Sequence, residues 1–310
     1  MMLFPICLDL LRVCVGVAMI TALSGRGKEE GLPVPDDGQK QETALQPINL
    51  AWPELPMLTE TAGYEYVTHY CQIKNEHEDC SVRARNYTMC FDASKRGAWW
   101  VAYPLHEVHL GTGRPKRDPW AYDPDLSSGC QADVVKGSYA GAYDRGHQIP
   151  NADRNADLTE EGMCYQTFYL SNSTPQASHL NQQGWARLER KVRGWVCADT
   201  LYVVTGAYWC PDCATTTDKS NNSCPVPDHY FKVVVRTKAG NIRHAGDQLG
   251  RYDASQLQSI GFWVANASGQ GEAKEWVKSV AEIEELTGFT FFPTIPDAVK
   301  QQKEPAAWNL

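Results

Sequence analysis

The chain is predicted to be an α+β protein, a central antiparallel β-sheet flanked by helices. Three observations lead there. Runs rich in aromatic and β-branched residues at 99–105 (WWVAYPL), 201–208, 230–236 and 262–265 read as strands. Within 181–195, Trp185, Leu188, Val192 and Trp195 recur at spacings of 3 and 4, which gathers them on one helical face. Helices interrupt the strands only occasionally, with no βαβ rhythm and no internal repeat, which favours antiparallel pairing.

The elements follow in chain order. Arg12 precedes an apolar run from Val13 to Leu23 that is too short to span a bilayer and fits the h-region of an export signal. Ala22-Leu23-Ser24 offers a cleavage site, so 1–24 is read as a signal peptide and the mature protein as secreted or periplasmic. A buried amphipathic N-terminal helix is the plainer alternative. Residues 25–60 hold several prolines and no sustained period, and read as a linker. Seven carboxylates against three cations give that segment a net charge of -4, half of the -8 carried by all 310 residues. The main domain is placed at 61–300, and 301–310 is left as a C-terminal tail. Ser279, four residues before Ile283, opens a second helix at 279–286.

A hydrophobic fraction of 43% is ample for a packed core, and the charge has the wrong sign for a protein that simply coats nucleic acid. Eleven cysteines, nine of them beyond Cys7 and Cys14 of the leader, suit an oxidising compartment. The stretch Trp209-Cys210-Pro211-Asp212-Cys213 looks like a redox CxxC, but a polar loop at 214–223 follows it where a helix should start. A loop-stapling disulfide of Cys210 with Cys213 or Cys224 is the favoured reading, ahead of a zinc site using Cys224 and of thiol-disulfide exchange.

Chemistry concentrates in YDRGHQIPNADRN. A histidine titrating near neutrality, His147, is a natural base for deprotonating water. Arg145 beside it can grip a phosphate oxygen, Gly146 permits close backbone approach, and Asp144 can orient a neighbouring cation or imidazole. Taken singly, each has a plain structural reading as a surface histidine or a local salt bridge. The same holds for FYLSNSTPQASHLNQQGWARLERKVR, where Asn181 reads as an N-cap and Glu189 with Arg193 as a solvent-facing (i, i+4) pair.

Together, DRGH, LSNxTPQ and LNQxxWARLE keep an order and spacing that resemble the DNA/RNA non-specific endonuclease family, with looser similarity over WVAY at 100–103 and AEIEELTGFTFFPTIPD. The resemblance implies a ββα-metal active site on the α+β fold. It implies His147 as general base, Asn181 as the one side chain directly on the metal, and Glu189 as the holder of water on that metal. Arg145 and Arg193 would bind phosphate and Asn172 would support the site. A further family arginine precedes an aromatic-then-Asp-Pro segment; RPKRDPWAYDP offers Arg114 and Arg117, of which Arg117 lies closer to Trp120. The implied cofactor is Mg2+, with Mn2+ as a substitute on oxygen ligands. The implied reaction is hydrolysis of DNA and RNA to 5′-phosphates. Arg187, Arg190, Lys191 and Arg193 on one helix, with Arg114, Lys116 and Arg117 upstream, supply the local positive charge a polyanion needs. A catalytically inactive relative that only holds nucleic acid is the competing expectation.

Overall fold

The computed structural model describes residues 52–74, 81–159, 162–242 and 249–310; the expected signal peptide and most of the expected linker lie outside them. Seven strands form the main sheet: β1 (Tyr64–Lys74), β2 (Ser81–Asp92), β3 (Gly97–Leu105), β6 (Leu201–Tyr208), β9 (His229–Thr237), β10 (Leu257–Ala265) and β11 (Val277–Lys278), in the order β1-β2-β3-β6-β9-β10-β11. Every pairing in it is antiparallel. The central strands are buried on both faces, which is why they read as near-continuous apolar runs. In β6, Leu201 and Val203 face one core while Tyr202 and Val204 face the other.

The first core lies under α2 (Ala186–Arg193), which follows the short α1 (Met163–Gln166), and gathers Trp185, Leu188, Val192 and Trp195, the residues whose spacing predicted that helix. The second lies under α3 (Val280–Thr287) and α4 (Asp297–Lys300), around Phe291, Phe292, Val280 and Ile283. Ser279 caps α3 as expected: its hydroxyl accepts from the Glu282 amide, and the Glu282 carboxylate accepts from the Ser279 amide. A smaller cluster of Trp120, Val134, Tyr139, Phe168 and Leu170 sits under the loops beside two further strands, β4 (Tyr143–His147) and β5 (Ser173–Ala177). A short hairpin, β7 (Thr215–Thr217) with β8 (Ser223–Pro225), occupies the loop after the Cys-x-x-Cys stretch.

Both ends of the expected domain carry more structure than their composition announced. Leu55 is buried in the second core, and Glu54 is buried in an ion pair with Arg85. At the other end Trp308 is 1% exposed; its ring nitrogen donates to the Ser259 carbonyl, and its own carbonyl accepts from Trp195. Residues 52–60 and 301–310 therefore contribute to the packed domain.

Candidate active site

Strands β4 and β5 pair antiparallel, His147 opposite Ser173 and Asp144 opposite Gln176, and the chain then turns directly into a helix. That is a β-β-α unit built from the DRGH, SNSTPQ and LNQQGWARLE segments. Gly146 is required by packing: a Cβ there would sit 2.5 Å from the Gln176 Cβ. Hydrogen bonds tie the unit to the main sheet, Thr174 to the Tyr230 hydroxyl at 2.7 Å and Gln148 to the Ala98 carbonyl at 2.5 Å.

The helix differs from the regular one expected over 181–195. Leu180–Trp185 is a π-helical turn and α2 runs only from Ala186 to Arg193. At Gly184 an added Cβ would lie 2.7 Å from the Trp276 ring, so this turn passes close against a tryptophan. π-Turns of this kind occur most often at functional sites. The N-cap of the turn is His179, so Asn181 is inside the helix and is not its cap. Its amide nitrogen instead donates to Asp144 Oδ2 at 2.9 Å. Asp144 also accepts from Ser178 and Gln182, at 2.8 Å each. The aspartate expected to orient a cation or the imidazole thus orients the asparagine, and leaves Asn181 Oδ1 as the group able to meet a ligand.

His147 ends β4 with its ring between Trp120 and Phe168, at centroid distances of 4.7 and 5.1 Å. Its Nε2 is buried without a hydrogen-bond partner among the described residues. Burial, reinforced by the Arg145 and Arg114 charges and opposed by Asp118, lowers its pKa to about 4. The imidazole is therefore neutral at pH 7, the state a general base needs. Arg145 lies over the Trp120 ring at 4.5 Å and donates to the Val134 and Val135 carbonyls. Of the two upstream arginines, Arg114 is felt at His147 and pairs with Asp118 at 2.9 Å; Arg117 is exposed.

Asn172 is fully buried and fully used. Its amide donates to the Ile149 and Thr167 carbonyls and its Oδ1 accepts from the Ile149 amide at 3.0 Å. It fixes the chain just after His147, a positioning role that leaves nothing for substrate. Arg187 pairs with Glu272 at 3.1 Å on the surface.

Glu189 and Arg193 do not form the simple pair that their spacing allows. Arg193 donates to Asp153 Oδ1 at 2.7 Å, and the Tyr103 hydroxyl holds the other oxygen at 2.9 Å. Burial works against the guanidinium, but Asp153 outweighs it and leaves the Arg193 pKa raised. Glu189 faces Lys232 instead: burial pushes the carboxyl up while the ammonium pulls it back. Burial pushes Lys232 down in turn; it is 1% exposed, with Nζ 5.3 Å from the Trp185 ring. Neither Lys232 nor Asp153 stood out in the sequence. A single charge inside the apolar run YFKVVV was the available signal for the lysine.

All eight described cysteines, Cys210, Cys213 and Cys224 among them, are free thiols. Desolvation and the Asp228 carboxylate push the Cys210 thiol up, away from the reactive thiolate. Among the described residues, His69, Asp123 and Asp125 form one group that could hold a metal ion, their ligand atoms all within 4.8 Å. As they stand, Asp123 faces Nε2 at 2.9 Å and Asp125 faces Nδ1 at 3.4 Å, which is a clamp on the two sides of an imidazole.

This β-β-α unit presents a neutral histidine, an oriented asparagine and several arginines, groups suited to hydrolysing a phosphodiester. Residues 69–298 match the DNA/RNA non-specific endonuclease family, and the chain belongs to it. It is 29% identical to the mitochondrial endonuclease G of Bos taurus over 221 residues, 68% of each chain. It is also 29% identical to the nuclease of Serratia marcescens over 228 residues, 71% of this chain and 77% of that one. A nuclease of Nostoc sp. is 28% identical over 244 residues, 78% and 80% of the two chains. The fold matches that in a crystal structure of an EndoG/EndoGI complex, with a TM-score of 0.53 at 21% identity, over 70% of this chain and 89% of that one. The chain is accordingly an endonuclease, a hydrolase whose substrates are nucleic acids. Among the described residues no helix is long and apolar enough to cross a membrane.

Proposed function

We propose that the chain is an exported, Mg2+-dependent endonuclease that hydrolyses DNA and RNA without fixed sequence preference, with His147 as its general base. The observation that carries this reading is the half-buried, neutral His147 on the strand whose Asp144 orients Asn181. His147 takes a proton from water, the water oxygen forms its bond to phosphorus, and the P–O3′ bond breaks. The phosphate stays on the 5′ side and the 3′ oxygen takes a proton from solvent. Arg145, Arg193 and the Arg114/Arg117 pair are the candidates to hold the non-bridging oxygens, where fixed positive charge stabilises the transition state. No ribose hydroxyl takes part, so the same groups serve DNA and RNA.

The donor set fits a hard divalent cation. Asn181 offers a neutral oxygen whose partner nitrogen is already engaged, and Glu189 offers a half-buried carboxylate on the same helix. Two oxygen groups, the rest of the shell being water, is how proteins usually hold Mg2+, and Mn2+ suits the same set. When bound, the ion would neutralise charge developing on the phosphate. Export rests on the apolar run at 13–23 and the cysteine content.

The test is steady-state cleavage by His147→Ala and Asn181→Ala. His147→Ala should lose at least about a hundredfold in turnover. Asn181→Ala should be partly rescued by high Mg2+ or Mn2+, as a ligand variant should be. Near-normal turnover in His147→Ala would remove it from the mechanism.

A further inference from the structure

An open cavity of about 600 Å3 adjoins the site at Trp120, lined among others by Tyr122, Asp133, Val135, Lys136 and Lys219. Its size is that of a small-molecule site. Trp120 belongs to both places: it lines the cavity, packs on the His147 ring at 4.7 Å and carries the Arg145 guanidinium at 4.5 Å. The wall is fixed to the site as well. Arg145 donates to the carbonyls of Val134 and Val135, and the segment after Trp120 is tied to 168–170 by Ala121–Phe168 and Leu170–Ala121 backbone bonds.

The chemistry of the lining is selective. Tyr122 is 37% exposed, a large aromatic face left open. Lys136 and Lys219 are exposed at the rim. The one carboxylate, Asp133, accepts from the Ser220 hydroxyl at 2.6 Å, and the Asp133 backbone bonds Asp218 and Lys219, so the two loops form a single wall. Gly137, at φ +142, leaves room for the Lys219 chain; a Cβ there would lie 2.5 Å from Lys219 Cε. An aromatic surface, two ammonium groups and a neighbouring phosphate-binding arginine are what a nucleotide meets in single-strand recognition.

Resting on the nuclease reading above, we propose that this cavity is a nucleotide subsite. It takes the base, against Tyr122, and the next phosphate, at Lys219 and Lys136, of the nucleotide flanking the scissile bond. An unstacked base is needed to enter it, so the subsite favours single strands and frayed ends over intact duplex.

Calorimetric titration of the full chain in chelator, where no cleavage occurs, tests this with two probes: adenosine 5′-monophosphate and ribose 5-phosphate. The nucleotide should bind about tenfold or more tightly, the usual effect of one base–aromatic stack. Tyr122→Ala should erase that difference, and Lys219→Ala should weaken both probes about fivefold. In cleavage assays Tyr122→Ala should raise KM for a single-stranded trinucleotide about tenfold. Equal affinity for the two probes, or an unchanged preference in Tyr122→Ala, overturns the subsite. The two readings fail separately. Cleavage of nucleic acid without base preference in binding rejects the subsite and keeps the nuclease. Base preference lost with Tyr122, in a chain that cuts nothing, keeps the nucleotide site and rejects the nuclease.

Discussion

His147 should set the low-pH limits of both activity and stability. Its pKa falls from 6.5 to about 4 because burial between Trp120 and Phe168 penalises the charged ring. The neutral form is favoured by folding, so the contribution is complete above pH 6.5 and is lost as pH falls toward 4. Worked through the linkage relation, the native state should lose about 2 kcal/mol from this group between about pH 7 and pH 5, and about 3 kcal/mol by pH 4. Urea unfolding of wild type and His147→Asn at these values isolates the effect, since asparagine does not titrate. The variant should show a shallower acid loss by that amount. The acid limb of kcat/KM, which reports the free enzyme, should have its midpoint near 4, not near 6.5. A midpoint at the ordinary histidine value, with parallel stability curves for both proteins, would refute the desolvated neutral base.

Three further perturbations probe the parts around it. Gly146→Ala forces a Cβ to within 2.5 Å of Gln176, so it should cost about 1–3 kcal/mol and lower turnover by displacing β4; denaturant melts and single-turnover rates check both. Asp144→Ala removes the acceptor that holds Asn181, so apparent Mg2+ affinity should fall about 10–100-fold with activity recovered at high metal, as a metal titration would read. Trp308→Ala should cost about 3–5 kcal/mol in urea unfolding, because the C-terminal residues close the core beside Trp195.

The strands at 99–105, 201–208 and 230–236 were legible because their apolar residues lie on both faces of a sheet covered on both sides. The helix at 181–195 was legible because one face alone is apolar. By contrast β1 and β2 went unread: Arg85, Asn86 and Thr88 interrupt β2 with polar groups whose partners, the Ala102 and Met163 carbonyls and the Thr68 hydroxyl, come from distant segments. The strand at 262–265 was cut short because Gln258 and Ser259 hide the start of β10. Residues 52–60 and 301–310 looked like linker and tail because the burial of Leu55 and Trp308 depends on strands far away in sequence. Within the site, the resemblance carried by DRGH and LNQ pointed to His147 and Asn181, and the structure brings the strand and the helix that hold them into one β-β-α unit. What holds them was not visible. Asp144 bonding Asn181, Asp153 taking Arg193 and Lys232 facing Glu189 are tertiary contacts, each made across at least 37 residues or between elements the chain does not place side by side.

The most direct test of the account is one digestion: purified chain with supercoiled plasmid and with ribosomal RNA, in Mg2+ and in chelator, followed by analysis of the product ends. The account predicts that both substrates are degraded in Mg2+ only, at many positions, leaving 5′-phosphates. Cleavage that persists in chelator, a single recognition sequence, or complete inertness toward either DNA or RNA would contradict it.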